Sequence, residues 1–230
     1  MQRNHIVLSA CVLMSALPVA WAAGGGSMSM PRMNNAPQMM SPEDQAKSAY
    51  NDGVREVRKA DKYQAAADGQ TDAKKKDKAL REAKEYYGSA LTKFTEAVKY
   101  DPRMHEAWNY VGYTNRKLGE YDIALAAYER ALALHPGYPE ALEYRGEAFL
   151  ALNRVADAQQ AYLDLFASNR ALADKLLAAM KGWVASQRTA TSGAADATAV
   201  DALDKWVQER TQIAAQTASL TRVGAASSWR

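Results

Sequence analysis

The sequence predicts an all-α fold: a short solenoid of helix–turn–helix units, preceded by an elongated helical hairpin and closed by capping helices. Three observations carry this. Ala107, Gly112, Leu118, Ala124 and Tyr128 return 34 positions later as Ala141, Gly146, Leu152, Ala158 and Tyr162. The same offset works backwards, where Tyr121, Ala124, Tyr128, Ala131 and Pro136 are preceded by Tyr87, Ala90, Phe94, Ala97 and Pro102. Between these positions the apolar residues fall three and four apart, the period of an amphipathic helix. Composition agrees, since 48% of residues are apolar but only 3 are Phe. An alanine-dominated profile of that kind suits closely packed helices better than a β-sandwich.

The residue types make physical sense at their places. Gly112 and Gly146 lie inside helical segments, where Gly costs about 1 kcal/mol against Ala, so packing must favour them. Pro102 and Pro136 end helices, because Pro lacks the N–H donor and restricts the residue before it. Residues 105–136 read HEAWNYVGYTNRKLGEYDIALAAYERALALHP. With Trp108, Gly112, Leu118, Gly119, Tyr121, Ala124, Tyr128, Ala131 and Pro136 so placed, the stretch resembles the tetratricopeptide repeat, a helix–turn–helix unit of about 34 residues. The resemblance covers the middle third to half of the chain. It implies a right-handed solenoid in which the helices of one unit approach most closely at Gly112 and Gly146, with Ala124 and Ala158 at the same contact. Phe94, Tyr128 and Tyr162 would fill the space between neighbouring units.

In chain order, residues 1–23 have the anatomy of a secretory signal peptide: Arg3, an apolar run from Ile6, and Ala20-Trp21-Ala22 before GGGS. The apolar run is short for a membrane span. Leu8-Ser9-Ala10-Cys11 also matches a bacterial lipobox. The few apolar residues before Cys11 favour plain cleavage over lipid attachment, which makes membrane association the less favoured reading. The mature chain would then hold no cysteine, and so no disulfide or thiol chemistry.

Residues 24–41 read as a flexible leader containing Met28, Met30, Met33, Met39 and Met40. Soft thioethers select Cu(I), so copper handling is an alternative function, although no His or Cys stands among them to complete a site. From Ser41, an N-cap hydroxyl, Pro42 and two acids start a helix. Its apolar stripe is Ala46, Ala49/Tyr50, Gly53/Val54, Val57, Ala60 and Tyr63. A break at Asp68-Gly69-Gln70-Thr71 precedes a second helical run ending at Asp101-Pro102. Gly53 is the expected counterpart of Gly112, 25 residues further upstream than one repeat requires, so residues 42–102 are expected to form a long hairpin, the alternative being a separate helix at 42–67 and a degenerate first unit. Its tip would carry Lys74, Lys75, Lys76 and Lys78, an ordinary solvated helix end or a contact for an anionic surface.

Residues 105–138 and 139–168 form two further units. Leu165 and the missing closing Pro mark the last one as terminal. Residues 169–187, with Leu172, Leu176, Met180 and Trp183 on one stripe, are expected to cap it. Residues 188–198 read as a linker, 199–216 as a last helix that either folds back or docks on a partner, and 217–230 as a frayed tail.

Lys+Arg 29 against Asp+Glu 26 gives a net charge of +3, without the concentrated basic face of a nucleic-acid binder. No phosphate loop, metallohydrolase His/Glu spacing or nucleophile–base set is present. His105 and His135 stand at loop positions where polar residues are usual. No enzyme activity, metal or cofactor is expected. The resemblance instead implies a concave surface, lined by the first helix of each unit, that holds a peptide or helix of another protein. The positions facing it would be Glu106, Asn109, Tyr113, Arg116 and Lys117 in the second unit, and Glu140, Glu143 and Glu147 in the third. The repeat family's carboxylate clamp is not transferred, because the third unit offers Glu where the clamp needs cations. The expected role is a non-catalytic adaptor in the bacterial cell envelope, periplasmic or secreted. The alternatives are copper handling and an accessory subunit of a membrane complex.

Overall fold

A computed structural model describes residues 40–190 and 195–227, with side chains to residue 217. Eight helices follow one another: α1 Pro42–Asp68, α2 Ala73–Tyr100, α3 His105–Leu118, α4 Tyr121–Leu134, α5 Pro139–Ala151, α6 Val155–Ser168, α7 Arg170–Thr189 and α8 Ala197–Ser227. The described residues contain no strand. Each odd helix pairs with the even helix after it, and α3, α5 and α7 also lie side by side. This is an all-α helical repeat solenoid. The expected signal segment, Cys11 and all methionines of the expected leader except Met40 lie outside the described residues.

Local chemistry sets the ends. Ser41 Oγ accepts the Asp44 N–H at 3.1 Å with Pro42 in the first turn, and Asn169 Oδ1 accepts the Leu172 N–H at 3.1 Å. Asp72 caps α2 through the Lys75 N–H, and Lys74, Lys75, Lys76 and Lys78 are all exposed there. α3 closes at Gly119 with φ +89°, and 34 positions later Asn153 takes φ +57° just past α5. Asn is among the few residues other than Gly that tolerate this left-handed conformation.

The hairpin helices have 27 and 28 residues where α3 and α4 each have 14. Despite that length, α1 and α2 meet like a standard unit. A Cβ on Gly53 would fall 2.7 Å from the Phe94 ring, and one on Gly112 would overlap the Tyr128 ring. Gly53 and Phe94 are 41 residues apart where Gly112 and Tyr128 are 16, and the difference of 25 is the expected insertion. Phe94 then stacks on Tyr110 of α3 at 4.7 Å and meets Tyr50 of α1 edge-on at 5.8 Å. Burying such a ring contributes about 1.5–3 kcal/mol.

The third unit departs from the expected contact. A Cβ on Gly146 would lie nearest Leu176 of α7, at 2.6 Å, where Gly53 and Gly112 face a ring of their own helix pair. The Tyr162 ring is held edge-on to Trp206 of α8 at 5.2 Å. In α7 the position 34 after Gly146 is Met180, and it is fully buried. α8 folds back on α7 by burying Val200, Leu203 and Val207, and Arg188 pairs with Asp204 at 2.8 Å. It also continues past residue 216 to Ser227, because residues 217–227 are rich in Ala and hold no Pro to stop the helix.

Candidate functional site

α1, α3, α5 and α7 together line a cleft of about 380 Å³. Gln64 comes from α1, Arg116 and Lys117 from α3, Glu147 from α5 and Trp183 from α7, with Tyr121 of α4 at the margin. Three of the eight expected residues, Arg116, Lys117 and Glu147, therefore meet there.

Beneath them is a buried polar layer. Asp61 sits on the apolar stripe of α1, four residues after Val57. Its Oδ1 accepts the Tyr87 hydroxyl at 2.6 Å and the Tyr113 hydroxyl at 2.7 Å. Burial, followed by the bond to Asp61, pushes both phenols above their usual range. Tyr113 is thus a buried strut tying α3 to α1 and α2 rather than a free groove side chain.

Arg116 forms an ion pair with Glu147, and its guanidinium lies 5.4 Å from both the Tyr113 and Tyr144 ring centres. Burial disfavours the charge, but Glu147 and the Tyr128 hydroxyl outweigh it and hold Arg116 above its ordinary value. Lys117 is pulled down, first by burial and then by Arg116. Its Nζ stands 5.8 and 5.7 Å from the Tyr87 and Tyr113 ring centres.

Glu143 is fully buried and faces Lys175 Nζ at 3.0 Å through Oε2, while Oε1 meets no donor. Burial, and then the neighbouring Glu147 carboxylate, push it up to about 8. For Glu147 burial also disfavours charge, but Arg116, the bond from Glu143 and Lys175 outweigh it and keep it low. A proton shared by the two carboxyls would give that orphan oxygen a role, as a donor from Glu143 to Glu147. The Lys175 contact is then a hydrogen bond to a neutral acid. Glu143 and Glu147 are consequently tied up with Lys175 and Arg116 rather than free to line a groove. Arg116, Lys117 and Lys175 thus gather around the Glu143–Glu147 pair and Asp61.

The remaining candidates lie elsewhere. Glu106 and Glu140 act at the other end of the odd helices, beside Tyr50, Tyr110 and Tyr138. There burial, Tyr110 and the two glutamates push Tyr50 up to about 12. Asn109 is buried with its Oδ1 unpartnered. The expectation missed Asp61, Gln64 and Lys175, and it favoured packing for Trp183, which is buried in the core and also lines the cleft. Asp61 had a signal, an acid on an apolar stripe. Lys175 had none, since its partner is 32 residues away.

A family model described as Tetratricopeptide repeat matches residues 78–122 and 112–173. Among solved structures, the chain is similar to the first TPR of Spaghetti (RPAP3) bound to the HSP90 peptide SRMEEVD. Identity is 18%, covering 58% of this chain and 94% of that one, with a TM-score of 0.40. The TPR2B domain of yeast Sti1 in its pHsp70 complex matches at 17% identity, over 73% and 98% of the two chains, with a TM-score of 0.38. MamA matches at 18%, over 77% and 99%, with a TM-score of 0.40.

Proposed function

We propose, from the tetratricopeptide repeats matched over residues 78–173, that the protein is a non-catalytic interaction scaffold that holds a segment of a partner protein along α1, α3, α5 and α7. The signal-like first residues are what supports setting this work in the bacterial cell envelope. The observation that carries the reading is the cleft between successive first helices, floored by a rigid buried network and open at Lys117. From Glu106 to Lys117 the α3 axis rises about 16 Å at 1.5 Å per residue. That matches about five residues of extended peptide. Glu106 and Glu140 mark one end of this path and Lys117 the other, so the fitting segment carries a cation at one end and an anion at the other.

Lys117 and Glu140 are the positions to change, because altering Tyr113 or Arg116 would break the buried layer. The test selects peptides from a displayed random library on wild-type protein, then measures their affinity for Lys117→Glu and Glu140→Lys after circular dichroism shows both folded. Selected peptides of mixed charge that lose at least tenfold in affinity to either variant support the reading. Peptides that bind both variants as they bind wild type remove the groove assignment.

A further inference from the structure

His105 opens α3 and His135 caps the end of α4, and the two rings meet at the open end of the second unit. His135 Nδ1 lies 3.0 Å from His105 Nε2, with ring centres 4.6 Å apart and planes 87° to one another. On the far side of His105, Glu106 Oε2 lies 3.2 Å from Nδ1. A carboxylate there favours the proton on Nδ1 and leaves the Nε2 lone pair aimed at His135. Repeat packing does not require this pair. The positions matching His135 in the neighbouring units are Asp101 and Asn169, and the one matching His105 is Pro139.

We propose that His105 and His135 form a two-histidine site for a divalent metal ion of the zinc or copper(II) class. Imidazole nitrogens suit these ions, at bond lengths of about 2.0–2.1 Å. At such lengths two ligands on one ion stand roughly 2.9 Å apart at a right angle and about 3.4 Å apart at the tetrahedral angle. The present separation falls within that interval, so small side-chain rotations suffice. The protons balance without release: Nδ1–H of His135, which now bonds His105, moves to its solvent-facing Nε2, and both rings bind as neutral imidazoles.

The frame is set by backbone and stacking. The His135 N–H bonds Ala131 O at 2.9 Å, and its carbonyl accepts the Tyr138 N–H at 3.2 Å. Tyr138 stacks on His135 at 5.5 Å and meets His105 edge-on at 4.8 Å. No group of three or more His, Cys, Asp or Glu among the described residues is placed to hold a metal, so water completes the coordination. Such an ion clips the beginning of α3 to the end of α4.

The test is calorimetric titration of the full chain with Zn²⁺ alone. One equivalent should bind in the micromolar range. His105→Gln and His135→Gln should each weaken binding tenfold or more, Glu106→Gln should weaken it about tenfold through the lost orientation of His105, and His5→Gln should leave it unchanged. A long-range proton–nitrogen NMR spectrum of wild type should show His135 changing from its Nδ1–H to its Nε2–H form as zinc is added, a readout independent of any variant's folding. Failure of wild type to bind zinc below about 1 mM, or wild-type affinity in either histidine variant, overturns the assignment. An unchanged His135 tautomer at saturation overturns it equally.

Discussion

Replacing Glu143 by Gln should make the protein more stable at neutral pH, although it removes an apparent ion-pair partner of Lys175. The carboxyl rises from the ordinary value of 4.5 to about 8 in the folded state. Between those limits the folded chain keeps a proton that the unfolded chain has released. Stability therefore falls as pH rises through the window, by about 1.4 kcal/mol per pH unit. At pH 7 the accumulated cost is about 3 kcal/mol, and above pH 8 it is complete at about 5 kcal/mol, both as upper limits. Gln has nearly the same shape, donates to Glu147 as the protonated acid does, accepts from Lys175 and carries no such linkage. Urea unfolding followed by circular dichroism from pH 5 to pH 9 should give a wild-type curve that falls relative to the variant. The two should meet near pH 5 and separate by roughly 3 kcal/mol at pH 7. Parallel curves, or a variant less stable than wild type above pH 8, would show Glu143 to be ionised and truly paired with Lys175, and the shared-proton account would be wrong.

Substitutions at four further positions test the packing, the backbone and the polar layer. Gly112→Ala drives a methyl into the buried Tyr128 ring and should cost about 1–3 kcal/mol in chemical denaturation. Gly88→Ala, inside α2 with open space where its Cβ would go, should instead stabilise by about 0.5–1 kcal/mol in the same assay. Asp61→Ala strands the Tyr87 and Tyr113 hydroxyls in residues only 1% and 9% exposed. It should cost about 2–4 kcal/mol, whereas Asp61→Asn, which keeps an acceptor, should lose less than half of that. Asn153→Ala, at φ +57°, should lower stability by about 1–2 kcal/mol, and Asn153→Gly should not.

Much of the fold was legible because its determinants repeat. Gly53 and Phe94 could be matched to Gly112 and Tyr128 from spacing alone, and the same spacing would have linked Asn153 to Gly119. The stripe Val200, Leu203 and Val207 showed that one side of the last helix is apolar, but its choice of α7 over another partner depends on longer-range contacts such as Arg188 with Asp204. The groove was legible in outline and misleading in charge. Glu143 and Glu147 recur on one helix face, as solvated acids do. Their fate is decided by Lys175 and Arg116, 32 and 31 residues away, through burial that no local pattern encodes.

Met180 stands where Gly112 and Gly146 stand in the earlier units, and this bears on how such a chain can grow. A tandem duplication of residues 105–138 would carry both halves of its own contact, a glycine and the ring that lies on it. The α7 segment could not open such a unit, because a buried thioether stands where Gly112 leaves room for the Tyr128 ring. One methionine thus closes the last helix pair to the packing that the first two pairs use.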